Sequence, residues 1–445
     1  MFRPYGATWH WRPSLCLADF KQASLSCRKV RVEIFALLTE AAIWYYGQRN
    51  ARTELPAMII GEPRLNAEGN KLRIQAPVEY AGVRTHLWFS MDERYRPYLT
   101  TEKCDGFLVG LLLLAMRLGE DVHLEAPVSA KLLYNLQNHY IRLLRIQIPA
   151  LHSITIVPTA FDTGDSHECR GEVVTGFSAG IDSFCVLADH FHGSPPPGYR
   201  ISRLVFNNVG SHGEYDSEPA RALFNRRYDL LRGYPEEVGL DFVKIDSNLL
   251  ELLHMDYAQT HLPRNIAAVM MLQKLFGRYL YASAHRYEDC RIGASDNMAL
   301  SDPVTVHLLS TETLECLSTG CQYSRVRKTQ KVAEIEASRR YLNVCTRAEA
   351  GGKNCSVCRK CCRTLLTLEM LGEIEKFHDV FDLAAWKRAR GGYICYMLGK
   401  RGYGLSREIF EYANTIDFRF NLPHRVVGRT WAIGRGLVDA FRGRT

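Results

Sequence analysis

Glu172-Val173-Val174-Thr175-Gly176-Phe177-Ser178-Ala179-Gly180-Ile181-Asp182-Ser183 passes from a β-branched run into a loop of small residues, and Phe184 to Asp189 continues with helical spacing. A strand, a tight turn and a helix are the expected elements. In that order the loop N–H groups and the helix N-terminus converge on one point, where they favour a phosphate, and the serine hydroxyls add donors. Asp182 and Ser183 could serve a metal or cap the helix. The plainer alternative is a polar strand-to-helix turn capped by Ser or Asp.

Outward from this stretch, short apolar runs alternate with helix-length amphipathic ones. The runs are Glu172 to Thr175, Leu204 to Asn207, Asp241 to Ile245 and Tyr279 to Ser283; the helices are expected near Asp182 to His190, Pro219 to Arg232, Asn265 to Phe276 and Arg325 to Ala337. This texture predicts an α/β fold with a doubly wound parallel sheet over residues 166–340, its ligand at the carboxyl ends of the strands. Residues 1–165 read as an additional α+β domain. There, helices Val32 to Tyr46 and Ser129 to Arg145 accompany strands Lys71 to Tyr80 and Thr85 to Ser90, and Phe107 to Met116 reads as a buried helix. The block carries no catalytic motif and is the natural candidate for recognising a partner.

Five of the 14 cysteines, Cys345, Cys355, Cys358, Cys361 and Cys362, fall within eighteen positions. Four thiolates close a tetrahedral zinc site, since a two-residue gap turns the chain back onto the same ion. A redox Cys-x2-Cys and a buried reduced cluster are the alternatives, and Cys362 competes with Cys361 as fourth ligand. A full thiolate shell leaves no position for water, so such a zinc braces the fold over residues 341–375. Catalysis then falls to the nucleotide site.

The formal charge of +8 gathers in residues 376–445, where thirteen Lys or Arg face six Asp or Glu. Aromatic and aliphatic residues interleave with these charges, as in a basic helical extension rather than a nucleic-acid-binding tail, so nucleic acid is not the favoured partner. The composition, with 47% hydrophobic and 23% charged residues, excludes disordered and collagenous classes. The longest apolar run is too short for a membrane span, and the first residues lack the build of a secretory signal; a cytoplasmic protein is expected.

The order Ser-x-Gly-x-Asp-Ser between strand and helix resembles the Ser-Gly-Gly-x-Asp-Ser loop of the PP-loop ATP pyrophosphatases. Ala179 stands where that family has its first glycine. The resemblance implies ATP and Mg²⁺, with the nucleotide on Ser178, Ala179, Gly180, Ile181, Asp182, Ser183, Phe206 and Asn207. A PP-loop followed by Cys-x9-Cys-x2-Cys-x2-Cys-x-Arg is similar to the 7-cyano-7-deazaguanine synthase branch, in which Cys345, Cys355, Cys358 and Cys361 hold Zn²⁺. Leu262-Pro263-Arg264-Asn265 and Arg325-x-x-Lys328 resemble two further segments of that branch, and imply roles in the reaction for Arg264 and Lys328 beside Asp182. The branch's Tyr-Pro-Asp-Cys-Arg stretch is not found; His285 to Arg291 and Ser301-Asp302-Pro303 stand there instead.

The resemblance implies an ATP-dependent ligase that adenylates a 7-carboxy-7-deazaguanine-type carboxylate, releases AMP and pyrophosphate, and passes the acyl group to an amine. The resemblance to antiphage-defence relatives makes a protein N-terminal amine one candidate acceptor. Nitrile synthesis from ammonia, tRNA thiolation through Cys185, Cys290 or Cys321, and a non-catalytic zinc and nucleotide module docking nucleic acid are the competing readings. His212 and His285 follow expected strands and are weaker candidates for the pocket wall. A homodimer through a sheet edge or the N-terminal block is a further expectation.

Overall fold

Alternation along the strands sets the architecture: Val173, Leu204, Phe206 and Phe242 enter one core, while Val174, Val205, Val243 and Ile245 enter another on the opposite face. A strand buried on both faces has no polar side to show, which is why these runs are continuously apolar. The structure, a computed structural model, describes residues 57–420 apart from 70, 165–168, 214–216, 348–352 and 403. The helix expected at Val32 to Tyr46 and residues 421–445 of the basic extension lie outside the described residues.

In chain order the strands are β1 (Met58–Ile60), β2 (Arg64–Glu68), β3 (Lys71–Tyr80), β4 (Val83–Asp92), β5 (Val122–Leu124), β6 (Val128–Ser129), β7 (Ile156–Val157), β8 (Phe161–Asp162), β9 (Glu172–Gly176), β10 (Arg203–Asn207), β11 (Asp241–Ser247), β12 (Phe276–Ala282) and β13 (Glu315–Thr319). Strands β6 and β8 pair with each other; the rest form an 11-stranded sheet ordered β13-β12-β9-β10-β11-β4-β3-β1-β5-β7, with β2 on β3. From β13 to β11 every pair is parallel. The chain is thus α/β with a large, mostly parallel central sheet. The order reverses beside β9, whose neighbours are β10 and β12, and in open α/β sheets this crevice receives the ligand.

The sheet does not stop at the expected divide near residue 165. Strand β11 would present an open edge, but β4 pairs with it antiparallel, Ser90 opposite Asp246 and Phe89 opposite Ser247. Pairing removes the exposed row of N–H and C=O groups that makes an edge adhesive. Residues 58–157 therefore continue the same sheet, and the described residues belong to one compact unit. The helix Asp105–Leu118 is buried as expected and ends at Gly119 with φ 75°. It packs on the helix Tyr257–Met270 so closely that a Cβ on Gly106 would meet Met271 Cε at 2.1 Å.

The helix expected at Arg325 to Ala337 ends at Ala333, with a separate short helix at Ser338–Tyr341, and two further differences lie close to the parallel strands. The helix expected at Asn265 to Phe276 runs instead from Tyr257 to Met270, because Asp256 accepts from the Ala258 N–H at 2.6 Å and starts it about two turns earlier, leaving Pro263 inside. Strand β13 was not expected; Glu315-Cys316-Leu317-Ser318-Thr319 lacks a strong apolar pattern because it is an edge strand. The basic extension contributes the helices Leu383–Gly399 and Gly404–Thr415. Among the described residues no helix is long and apolar enough to cross a membrane.

Candidate functional site

Strand β9 ends at Gly176, and the turn after it is anchored by Phe177, whose ring stacks on Tyr234 at 5.0 Å and meets Phe184 edge-on at 5.3 Å. Gly180 is the N-cap of the helix Ile181–His190, and no side chain caps it. Ser183 Oγ donates to the Gly180 carbonyl at 3.1 Å, so neither it nor Asp182 takes the capping part open to them in sequence. The first-turn N–H groups, which have no partner within a helix, are left for a ligand.

Ala179 adopts φ 53°, the left-handed conformation that glycine holds without strain. An L-residue there is disfavoured by about 1–2 kcal/mol. Its methyl is fully buried, however, and burying one such group contributes about 0.8 kcal/mol. Ala179→Gly is therefore expected to raise stability by less than about 1 kcal/mol, while Ala179→Val lowers it because branching clashes at positive φ. Urea melts of both variants check this.

Asp182 sits on the first turn of the helix. Arg325 Nη1 and Lys328 Nζ both donate to its Oδ1, at 2.9 and 3.1 Å. Burial would push this carboxyl up, but the two cations outweigh it and hold it well below the usual carboxylate range. Lys328 is 1% exposed, also donates to the Ser283 carbonyl, and lies behind Asp182 rather than on the cavity surface. Arg325 is fixed by the Ala284 carbonyl and by Glu408, which accepts from its backbone N–H.

In front of this group lies a cavity of about 710 Å³ at the carboxyl ends of β9, β10 and β12. Ser178, Gly180, Ile181, Asp182, Ser183, Phe206 and Asn207 line it, whereas Ala179 is buried beneath. The cavity has two ends. One is cationic: Arg325, Lys360 and Arg363 face the turn with Asp182 as the one carboxylate on the lining among the described residues, and Arg227 adds a further cation to the wall. Among the described residues Lys360 and Arg363 form no ion pair, and the protein around them together with the neighbouring guanidiniums lowers the pKa of both. Clustered cations in excess of their counter-charge are stabilised by an anionic ligand. The other end is aromatic, with Phe206, Tyr257, Tyr279, Tyr281, His212 and His261.

Arg264 is not on the lining. It is 1% exposed and donates to the Val209 and Met255 carbonyls at 3.2 and 2.7 Å, bracing the loop after β10. His212 and His285 both reach the cavity wall. Burial holds His212 down at about 3 and also lowers His285, so both are neutral at physiological pH. His261, Lys360 and Arg363 were not singled out from sequence. The two cations carry one usable signal, since they follow Cys358 and Cys361 on the same helix.

The cysteine cluster adjoins the cationic end. The sulfurs of Cys345, Cys355, Cys358 and Cys361 all lie within 4.8 Å of one another, with Cys345–Cys358 at 3.9 Å, Cys355–Cys361 at 4.0 Å and Cys358–Cys361 at 3.5 Å. Four sulfurs about 2.3 Å from a tetrahedral ion are about 3.8 Å apart, so the set fits a metal such as zinc. Backbone N–H groups of Arg347, Cys358 and Cys361 point at three of the sulfurs, which favours thiolates. Cys361 hydrogen-bonds Cys358 and holds it down at about 4. Cys362 turns away to the Ser356 carbonyl, which settles the choice between the two neighbours. Asn354 staples the site, accepting from the Val344 and Cys345 N–H groups and donating to the Leu342 and Val380 carbonyls.

This cluster begins the helix Arg359–Met370, which carries Lys360 and Arg363 to the cavity, and Cys345 itself touches the lining. A metal bound there would hold the cationic wall in place. Cys185 is fully buried and pushed up to about 12, chiefly by that burial, which is unlike a reactive thiol. Searches against family models, curated proteins and solved structures find no match to this chain.

Proposed function

We propose that the chain is an ATP-dependent, AMP-forming ligase that activates a carboxylic acid of the 7-carboxy-7-deazaguanine type and transfers the acyl group to an amine. The observation that carries this reading is the uncapped turn Gly176–Ser183 at the sheet's switch point, facing Arg325, Lys360 and Arg363 across a cavity large enough for a nucleotide and a second planar molecule. The motif resemblance selects ATP among the anions that fit.

Carboxylate attack at the α-phosphorus places negative charge on the phosphoryl oxygens and on departing pyrophosphate. The turn N–H groups, Arg325, Lys360 and Arg363 stabilise that charge in a preorganised setting. Asp182, kept ionised by Arg325 and Lys328, is the cavity carboxylate suited to Mg²⁺, which when bound neutralises phosphate charge. Lys328 holds Asp182 and the Ser283 carbonyl in register, and Arg264 keeps the β10 loop closed against the aromatic end. The four cysteines are the structural support of the cationic wall. The acceptor amine is, on this reading, carried by a protein partner. Buried Cys185 weighs against thiolation.

The test is product analysis with ATP, Mg²⁺ and 7-carboxy-7-deazaguanine. AMP and pyrophosphate are expected only with the acid present, and Asp182→Asn is expected to abolish them. ADP as product, or AMP independent of acid, would sink the reading.

A further inference from the structure

At the aromatic end three side chains form a line that the proposed activation step does not use. Tyr281, on β12, lines the cavity, and its Oη lies 2.7 Å from Nδ1 of His261, the two rings only 4° from parallel. Nε2 of His261 faces Asp302 Oδ2 at 3.9 Å. Asp302 is 1% exposed, and neither of its carboxyl oxygens has a hydrogen-bond partner among the described residues.

A carboxylate in that position would lose its solvation with nothing in return, whereas a neutral carboxylic acid loses far less and has a proton to donate. Burial accordingly pushes Asp302 well above the usual carboxylate range. The acceptor it faces is His261 Nε2, which at 3.9 Å is beyond direct hydrogen-bond reach, so the link requires the carboxyl to close that gap or a water to bridge it. His261 is itself held down at about 4 by burial and by Arg264 and His285, so it is neutral and has one accepting nitrogen. If Nε2 accepts, Nδ1 carries the proton and donates to Tyr281 Oη, and the Tyr281 hydroxyl hydrogen is free to point into the cavity. The remaining titratable groups around the line are Tyr140, Tyr257, Tyr279 and Cys290, all raised by burial and uncharged, and Arg264, which is tied to two backbone carbonyls.

We propose that Asp302, His261 and Tyr281 form a net-neutral hydrogen-bond relay that presents the Tyr281 hydroxyl as a donor to the acyl oxygen of the substrate. This assignment rests on the ligase reading. As the amine nitrogen bonds to the acyl carbon of the adenylate, the carbonyl π pair moves onto oxygen, where Tyr281 stabilises it by hydrogen bonding without giving up its proton. The pair returns as the bond to AMP breaks, and the nitrogen releases its proton to water. Tyr281 is the catalytic residue; His261 and Asp302 are positioning residues.

The relay separates a neutral acid from a carboxylate by one substitution. Asp302→Asn keeps a donor to Nε2 and is expected to retain amide-forming kcat within a few fold. Asp302→Ala and Tyr281→Phe are expected to lose about 10²- to 10³-fold in kcat with little change in KM, the scale of a lost oxyanion donor. The folded-state pKa of Asp302 is raised, so its stability contribution declines as pH rises above the unfolded value of about 3.9. Asp302→Asn should therefore be more stable than wild type, by a margin that widens from pH 4 upward.

The first readout needs no substrate: ¹⁵N spectra of the full chain labelled at histidine, with His261 assigned from His261→Gln. A neutral His261 protonated on Nδ1 at pH 7 supports the relay. Protonation on Nε2, or Asp302→Asn as damaging as Asp302→Ala, overturns it. A wild-type chain that makes no AMP from any carboxylate would overturn the ligase reading instead, and the tautomer would still decide the relay.

Discussion

With a metal such as zinc held by the four cysteines, Cys358→Ser is expected to release it and unfold the segment that carries the cationic wall. Structural zinc sites contribute on the order of 10 kcal/mol of apparent binding free energy, comparable to the whole stability of a domain. Cys358 lies centrally in the cluster, 3.9 Å from Cys345 and 3.5 Å from Cys361, and is the N-cap residue of the helix bearing Lys360 and Arg363. Its loss should lower Tm sharply and, on the proposed ligase reading, abolish nucleotide binding. A strong chelator should reproduce both effects in wild type and add nothing to the variant. Metal analysis beside thermal melts reads the result, and an unchanged Tm with unchanged metal content would contradict it.

Lys328→Met is expected to have the next largest effect. It removes one of the two cations on Asp182 Oδ1 and the donor to the Ser283 carbonyl. Breaking a buried pair by removing one partner destabilises by about 3–5 kcal/mol. Arg325 remains and the Asp182 side chain is 28% accessible, so the lower end applies. The pH dependence has a definite sign. The folded pKa of Asp182 is depressed, so the pair's contribution is fully present above the unfolded value of about 3.9 and is lost as pH falls toward the folded one. The gap between wild type and Lys328→Met in urea melts should therefore narrow from pH 7 to pH 3. A gap that stays constant would mean the ion pair contributes nothing.

The parallel half of the sheet was legible because its strands are buried on both faces and their residues are apolar without interruption, as in Val173-Val174 and Leu204-Val205-Phe206. The turn was legible because small residues must follow a strand that delivers backbone N–H groups to one point. Even the departure at Ala179 could be posed from sequence, and its φ of 53° answers it: the left-handed conformation is kept and the alanine bears it. Cysteine spacing foretold the cluster, since three of its members lie on one turn and a helix start.

What stayed hidden depends on contacts between distant segments. Nothing local in Val83–Asp92 announces that it will pair with β11 about 150 positions later, so the N-terminal block read as separate. Arg264 read as a reacting group because an arginine at a helix start is equally suited to a phosphate or to two carbonyls, and only burial distinguishes them. His261, Tyr281 and Asp302 come from a long helix, a strand and the start of the short helix Asp302–Thr305, and no spacing links them. Lys360 and Arg363 were within reach, each being two residues beyond a ligand, Cys358 and Cys361 respectively.

The most direct measurement of the central claim is isotope transfer from the acid. With ¹⁸O in the carboxylate of 7-carboxy-7-deazaguanine, ATP, Mg²⁺ and an amine, attack at the α-phosphorus must leave one labelled oxygen in AMP once the acyl group departs. The account predicts ¹⁸O in the AMP phosphate, in proportion to amide formed. Label found in inorganic phosphate with ADP as the other product, or AMP without label, would contradict it.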